Sequence, residues 1–522
     1  MIIQSKSDFR NFHDKQFRPG QEETIQYIYN SPAKINVVTA PCGSGKSLIG
    51  MTLGNIYPKY LYLVSSKQLQ SQLQHDFPEA EMMWGRSNYP CTMIKGRDAS
   101  ECFHTSDHPC PQKSTCPYEA QKRKTLASKR QILNYTYFLT ESNYVGRFSN
   151  YPIIVCDEGD TIEDRLYDIV SLTFTRRMLE RYGLDEPEYK TFGSVKAISY
   201  WKSWAKKSIY SLESQINELE DEMYENDSKS DTYLGLLKEL NKLNTLKDKL
   251  IIMQSYCDEG WVLEYFKDKW TIKMSWLNKD LTDLYFFNHG EKFVFMSATF
   301  PHPVVLAETL GLNVGDINTD IELGSNFPVE NRLVYLTYTA DMKSMKGGGI
   351  DEKEVVKIQH KISSILNEHP EEKGIIHTVN WNLNKAVMDI GNPRLITHVS
   401  GENKADTLRR FYGSSNGVFV SPSSTRGLDL VDDLARFNII AKCPYKNVAD
   451  KLVSARLYGK RGLGELWYKS SAAQEIVQAC GRGVRSVDDY CTTYILDRQA
   501  CKLITDNTSL FPRYFIESVE VE

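Results

Sequence analysis

The sequence predicts an α/β protein built from two parallel-sheet lobes, and three observations carry that expectation. Short β-branched or apolar runs recur along the chain: INVVT (35–39), LYLVSS (61–66), PIIVCDE (152–158) and KFVFMSAT (292–299), then KGIIHTV (373–379), GVFVSPS (417–423), RFNIIAKCP (436–444) and YCTTYILD (490–497). The runs stop at small or polar residues and alternate with helix-like stretches, the texture of a parallel sheet with helices between its strands. The chain, at 522 residues, is also too long for one core and corresponds to three or four domains of roughly 150 residues each.

Between the two sets of runs, residues 205–256 have a different texture. Ile209, Leu212, Ile216, Leu219 and Met223 are spaced 3, 4, 3 and 4 apart, the seam of an amphipathic helix. After the polar break ENDSKSD (225–231), Leu236, Leu240, Leu243, Leu246 and Leu250 resume helical spacing. Two such helices joined by a short polar loop are expected to pack as an antiparallel hairpin.

Composition is that of a soluble globular protein, 41% hydrophobic and 25% charged. A net charge of −4 argues against a uniformly basic coat, while 63 Lys and Arg leave room for a basic groove. MIIQSKSDFR lacks the apolar core of a secretory signal, and no apolar run approaches the ~20 residues of a membrane span. A cytoplasmic location without a membrane partner is therefore expected. Seven of the eleven cysteines are scattered in apolar contexts such as IIVCDE, which reads as reduced usage.

The strongest chemical signal is APCGSGKS (40–47), a Gly-rich turn after a strand and before a helix. Gly43 and Gly45 let the backbone of the Gly43–Ser44–Gly45 turn approach phosphate oxygens, and the helix N-terminus favours the anion. Lys46 would reach the β- and γ-phosphates of ATP, and Ser47 would ligate Mg²⁺. Ala40 stands where the strict pattern has Gly. An acidic partner follows at the end of another strand: Asp157 is expected to hold Mg²⁺ through water and Glu158 to orient and deprotonate the attacking water. Gln21 in FRPGQ has the amide geometry to read an adenine edge. Near the C-terminus, QACGRGVR (478–485) reads as helical, which would put Arg482 and Arg485 on one face with Gln478 a turn earlier. Two guanidiniums from a second lobe can stabilise charge on the γ-phosphate, an effect of about 10³–10⁵ in rate.

Four further cysteines, Cys91, Cys102, Cys110 and Cys116, are crowded together with ten, seven and five residues between them. Four thiolates suit either a tetrahedral Zn²⁺ or a 4Fe–4S cube. Residues 86–130 have too few large apolar residues to pack alone, so a metal centre would supply folding free energy. Lys122, Arg123, Lys124, Lys129 and Arg130 follow and are candidate phosphate contacts.

Taken in order, these motifs resemble the iron–sulfur branch of superfamily-two DNA helicases, the XPD/DinG-like family, over most of the chain. FRPGQ is similar to the Q motif, APCGSGKS to motif I, LYLVSSKQLQSQ to motif Ia, DEGD to the DEAH box, MSAT (296–299) to motif III, STRGLDLVDD (424–433) to motif V and QACGRGVRSVDDY to motif VI. The resemblance implies two recA-like lobes with an inserted Fe–S domain and an inserted helical arch. The expected limits are 1–85, 131–160 and 285–325 for lobe 1, 86–130 for the Fe–S domain, 161–284 for the arch and 326–522 for lobe 2. It implies a 4Fe–4S cluster on the four cysteines rather than zinc, a nucleotide role for Asp429, and 5′→3′ movement on single-stranded DNA. Tailed or forked duplex DNA would be the substrate of a monomer serving DNA repair or replication. The compact chain resembles phage or bacterial members. Two departures stand out: Asp160 replaces the usual His, and Arg426 stands where the family has Glu. Two competing readings are an ATP-gated remodelling or protein-displacing translocase without strong unwinding, and a zinc-dependent nucleic-acid enzyme. The second is disfavoured because a Cys₄ site is coordinatively closed.

Overall fold

The structure is a computed structural model of the chain; it describes all residues except 1–8, 13–15, 103, 105–107, 189–190, 228–229, 344–348, 350, 399–403, 423–431 and 460. The N-terminal part begins with strands β1 (Ile35–Thr39), β2 (Tyr60–Val64), β3 (Glu81–Met82), β4 (Arg130–Asn134) and β5 (Tyr151–Asp157). An excursion then contributes β6 (Leu172–Thr175), β7 (Trp261–Phe266) and β8 (Lys269–Met274), before β9 (Gly290–Ser297) and β10 (Ile317–Glu322) return to the first lobe. Seven of these form one parallel sheet in the order β10-β1-β9-β5-β2-β4-β3. Helices cover both faces, which is why YLYLV of β2 is buried at every position instead of alternating.

The crossover order matters for chemistry. β1 lies between β9 and β10, and β9 lies between β1 and β5. Thr39 pairs with Ser297 and Asp157 with Met296, so the strand ends carrying APCGSGKS, DEGD and MSAT share one edge. Ligands of open α/β sheets bind just beyond such carboxyl ends.

The second lobe repeats the plan with β11 (Val334–Ala340), β12 (Gly374–His377), β13 (Leu395–Thr397), β14 (Val418–Ser421), β15 (Phe437–Ile440), β16 (Thr492–Asp497) and β17 (Val519–Val521). Its parallel order is β13-β14-β12-β15-β16-β11-β17.

The expected helical hairpin is present as Val195–Tyr224 and Asp231–Tyr256. Ser194 and Ser230 cap the two N-termini by accepting the N–H groups of Ala197 and Tyr233. Ile209, Leu212, Ile216 and Met223 meet Leu240, Leu243, Leu246 and Leu250 in a shared core, with Leu237, not Leu236, as the buried residue of its turn. The insertion is not purely helical, which corrects the arch as read from sequence. β6, β8 and β7 form an antiparallel sheet at its base. Lys267 and Asp268, both at positive φ, make the two-residue turn of the β7–β8 hairpin. Phe174 of β6 stacks between Trp204 of the first long helix and Trp270 of β8, tying sheet to hairpin.

Residues 86–130 contain short 3₁₀ turns, one isolated bridge between Pro90 and Asp98, and the helix Pro117–Ala127, which starts directly after Cys116. No helix among the described residues is long and apolar enough to cross a membrane.

Candidate active site

The phosphate loop is shaped by two glycines in the left-handed region, Gly43 at φ 74° and Gly45 at φ 81°. A Cβ on Gly45 would lie 2.3 Å from the Gln21 amide, and one on Gly43 would collide with the Phe327 ring. Ser44 Oγ donates to Pro41 O at 2.7 Å. Lys46 Nζ is folded onto its own loop, 3.0 Å from Ala40 O and 3.1 Å from Pro41 O. The lysine therefore occupies space that phosphate oxygens would claim. Gln21, read from sequence as adenine-facing, uses both amide atoms on its own chain. Nε2 donates to Ser44 O at 2.7 Å, and Oε1 accepts the Arg18 N–H at 2.9 Å. With Arg18, which donates to Gly43 O, it braces the loop from behind.

Asp157 ends β5 and is buried. Burial pushes its carboxyl up to about 6, the charge of Lys46 opposing and that of Glu158 adding. The Tyr62 phenol lies beside Asp157 and Ser47, its acidity suppressed by burial and then by the Asp157 charge, and its hydroxyl has no hydrogen-bond partner. A buried carboxylate, a serine hydroxyl and an orphaned phenol form an oxygen-rich corner that fits a hydrated Mg²⁺. Glu158 adopts φ 49° at the head of a short 3₁₀ turn, is exposed, and accepts the Ser65 hydroxyl. Asp160, the departure from His, accepts the Ser297 hydroxyl at 2.7 Å. The acidic box and the MSAT segment are thus joined directly, by a carboxylate acceptor in place of an imidazole.

From the second lobe, Gln478 lies on the helix Gly464–Cys480, but Arg482 and Arg485 do not. The helix stops at Cys480, so the shared helix face expected for the two arginines is incorrect. The cause is Gly481-Arg482-Gly483, which breaks helical propensity. A Cβ on Gly483 would also strike Cys491 Sγ at 2.3 Å, so the close turn admits only glycine. The turn nevertheless delivers both guanidiniums to the first lobe. Burial opposes ionisation of the Cys42 thiol, yet Lys46, Arg485 and Arg482 together outweigh it and hold the thiol below its ordinary value. Three cations from the two lobes therefore gather around one loop residue. Asp489, itself buried, holds the arginine turn by accepting the Arg485 N–H at 2.9 Å. Asp429, Arg426 and most of the motif V segment lie outside the described residues.

One functional contact had no sequence signal. Tyr514 of lobe 2 donates its phenol to Ala298 O of the MSAT segment at 2.8 Å, and Arg332 donates to the Tyr514 carbonyl. A lone tyrosine near a C-terminus gives no spacing pattern to read.

The four crowded cysteines are all free thiols and line one cavity of about 1240 Å³ between residues 86–130, the arch and lobe 1. Burial raises the Cys102 and Cys110 thiols, and the neighbouring cysteines add to it; Ile94 N–H points at Cys91 Sγ at 3.4 Å. Cys110 has the other three thiols for neighbours, and a four-thiol donor set on core-poor loops has the chemistry that fits an Fe–S cluster. Among the described residues, no three His, Cys, Asp or Glu groups are gathered tightly enough to hold a single metal ion. The same cavity is lined by Lys113, Arg123, Arg147, Arg165, Lys247 and Lys249. The basic run after the cysteines is mostly committed elsewhere, which corrects its reading as a phosphate-binding series. Lys122 is buried against Glu141, Lys124 pairs with Glu81, and Lys129 and Arg130 donate to Asn55. Arg123 alone of the five lines the cavity as an exposed cation.

Residues 357–515 match the family model described as the helicase C-terminal domain. Three solved structures share the fold over nearly the whole chain. An XPD helicase aligns at 15% identity and TM-score 0.62, covering 97% of this chain and 100% of that one. An apo XPD aligns at 14% and 0.58, covering 96% and 99%. Xpd4 of S. tokodaii aligns at 15% and 0.56, covering 97% and 100%. No curated protein matches the sequence. Fold, site and family match define the class as a two-lobed, ATP-hydrolysing helicase. Residues 357–515 are thus similar to a helicase C-terminal domain, and the chain as a whole has the fold of the XPD helicase structures.

Proposed function

We propose that the protein is an ATP-driven motor that moves 5′→3′ along single-stranded DNA and, as a monomer, separates tailed or forked duplexes. The observation that carries this reading is that the phosphate loop, DEGD and MSAT share one sheet edge which lobe 2 reaches through Tyr514 on Ala298 O, with Arg482 and Arg485 near enough to act on the Cys42 thiol. A cleft whose cations come from both lobes closes more tightly on a triphosphate than on a diphosphate, and that difference is the stroke. Lys46 exchanges its loop carbonyls for phosphate oxygens. Ser47 and Asp157 would hold Mg²⁺, which when bound neutralises charge on the β- and γ-oxygens. Glu158 holds and deprotonates the attacking water. Arg482 and Arg485, with Gln478, face the charge that develops on the transferred group. The Ser297–Asp160 hydrogen bond passes the state of the acidic box to the MSAT segment.

The DNA strand would thread the basic cavity, held by phosphate contacts and base stacking and so largely without regard to sequence. Cys91, Cys102, Cys110 and Cys116 would hold a 4Fe–4S cluster, which when bound supplies a rigid hub for a segment that buries little of its own. The segment then serves as the wedge that parts the strands. Iron content with a broad visible absorption of anaerobically purified protein tests this; stoichiometric zinc would count against it.

Strand displacement on 5′- and 3′-tailed duplexes is the decisive assay. Wild type should displace from the 5′ tail only, and Lys46→Ala should lose ATP turnover while retaining DNA binding. DNA-stimulated turnover with no displacement from either tail would favour the remodelling translocase instead. Wild-type turnover by Lys46→Ala would contradict the site.

A further inference from the structure

Away from the nucleotide, lobe 2 touches the rest of the molecule through a buried arginine that the hydrolytic site does not use. Arg456, on the helix Lys451–Leu457, is 5% exposed. Its Nε donates to Ser275 O at 2.5 Å, and one terminal nitrogen donates both to the Glu163 carboxylate and to the Tyr167 hydroxyl. The guanidinium lies over three rings, 5.4 Å from Tyr167, 5.0 Å from Trp276 and 4.9 Å from Trp467. Two of those rings come from before β9 and one from lobe 2, and Trp276 and Trp467 meet edge to face with Val305 and Val453 in a small core. Lys451 Nζ donates to Leu263 O of β7 at 2.9 Å, and Arg461 pairs with Glu308 on the same side.

The position of Glu163 gives this contact a meaning for the motor. It lies three residues after Asp160, in the first turn of the helix Ile162–Val170 that continues from the acidic box. Lobe 2 therefore grips the element that anchors the DEGD turn, on a face separate from the arginine turn at Cys42. A charge clad in aromatic rings cannot lose its partner cheaply, because water has no access to replace it. On the motor reading, a contact this costly to break would be kept through a cycle while the cations around the phosphate loop rearrange with nucleotide.

We propose that Arg456, through Glu163 and Ser275, is the fulcrum of the two lobes: a positioning residue about which lobe 2 turns, holding the acidic box in register while the nucleotide side opens and closes. The proposal rests on the motor reading above, and its test separates the two. Amide exchange of the full chain is measured with and without Mg²⁺ and AMP-PNP. Residues 162–170 and 451–457 should stay protected, changing less than about twofold, while residues 42–47 slow at least about tenfold. A change beyond about tenfold in either fulcrum segment on adding nucleotide would overturn the proposal. No slowing at 42–47 would count against the nucleotide site instead.

Glu163→Gln keeps the shape, removes the charge, and tests the fulcrum without nucleotide. It should raise exchange in 451–457, across the interface, together with 162–170 by about tenfold. A response confined to its own helix would refute the fulcrum. In DNA-stimulated turnover, Glu163→Gln should lower kcat about tenfold with KM for ATP within about twofold, because the box is misplaced and not the phosphate loop. Arg456→Lys, which keeps the charge, should recover part of the kcat lost in Arg456→Met. Equal kcat in all of these variants would reduce the contact to packing.

Discussion

At the end of β12 the His377 ring is buried, its Nε2 has no hydrogen-bond partner, and it borders a cavity of about 210 Å³ with Lys442, Gln478 and Arg482. Burial first, and the Arg482 charge second, press its pKa down to about 4. The folded-state value lies below that of an unfolded histidine, so the unfolded chain binds the proton more readily. Stability is then fully present above about pH 6.5 and is lost as the pH falls from there to about 4, to the extent of about 3 kcal/mol. Urea unfolding of wild type and His377→Leu across this window should show the extra acid slope in wild type only. At the same scale, the Gln21 amide braces the phosphate loop through Ser44 O and the Arg18 N–H, against a left-handed Gly45 that leaves 2.3 Å for a Cβ.

Among the elements, the buried strands of both lobes were legible because parallel strands covered on both faces read as unbroken apolar runs. The helical hairpin was legible because its heptad-like spacing runs through two long, well-capped helices. What failed to read had a physical cause in each case. The hairpin β7–β8 opens on the buried apolar run Trp261, Val262 and Leu263, but its turn residues, Lys267 and Asp268, lack the Asn-Gly signature that advertises positive φ. The helix ending at Cys480 was overrun because the motif beyond it looked continuous, although two glycines flank Arg482. The basic run 122–130 was read as one surface, yet the helix Pro117–Ala127 turns Lys122 inward, where its side chain is 7% exposed against Glu141 at 2%. Lys122→Ala should leave that carboxylate with only the more distant Arg86 and the Tyr118 hydroxyl, and cost about 1–3 kcal/mol in urea denaturation. Arg123→Ala, one residue along on the cavity wall, should change stability by no more than about 0.5 kcal/mol. It should instead weaken single-strand binding and lower the salt slope by about one unit.

Across the whole molecule, the cleft is spanned by contacts of different strength. Arg456 is enclosed in rings and multiply bonded, while Tyr514 reaches the MSAT segment through a single hydrogen bond to Ala298 O. Tyr514→Phe removes that donor and keeps the ring in its lobe 2 core. With about 1 kcal/mol of interaction lost, ATP turnover should fall about fivefold while the melting temperature moves by no more than about 2 °C. An unchanged turnover would show that the two lobes communicate without it.

The strand order of the first sheet also has a consequence for how the chain is made. β1, which launches the phosphate loop, has only β9 and β10 as neighbours, and neither begins before residue 290. On the ribosome the strand must therefore wait, with both backbone edges unpaired, until the four-cysteine segment and the entire arch have been synthesised. Pairings of such long sequence separation form slowly and leave hydrophobic strands exposed to aggregation. Holdase chaperones should therefore engage nascent chains released before residue 290 far more than those that already include β10.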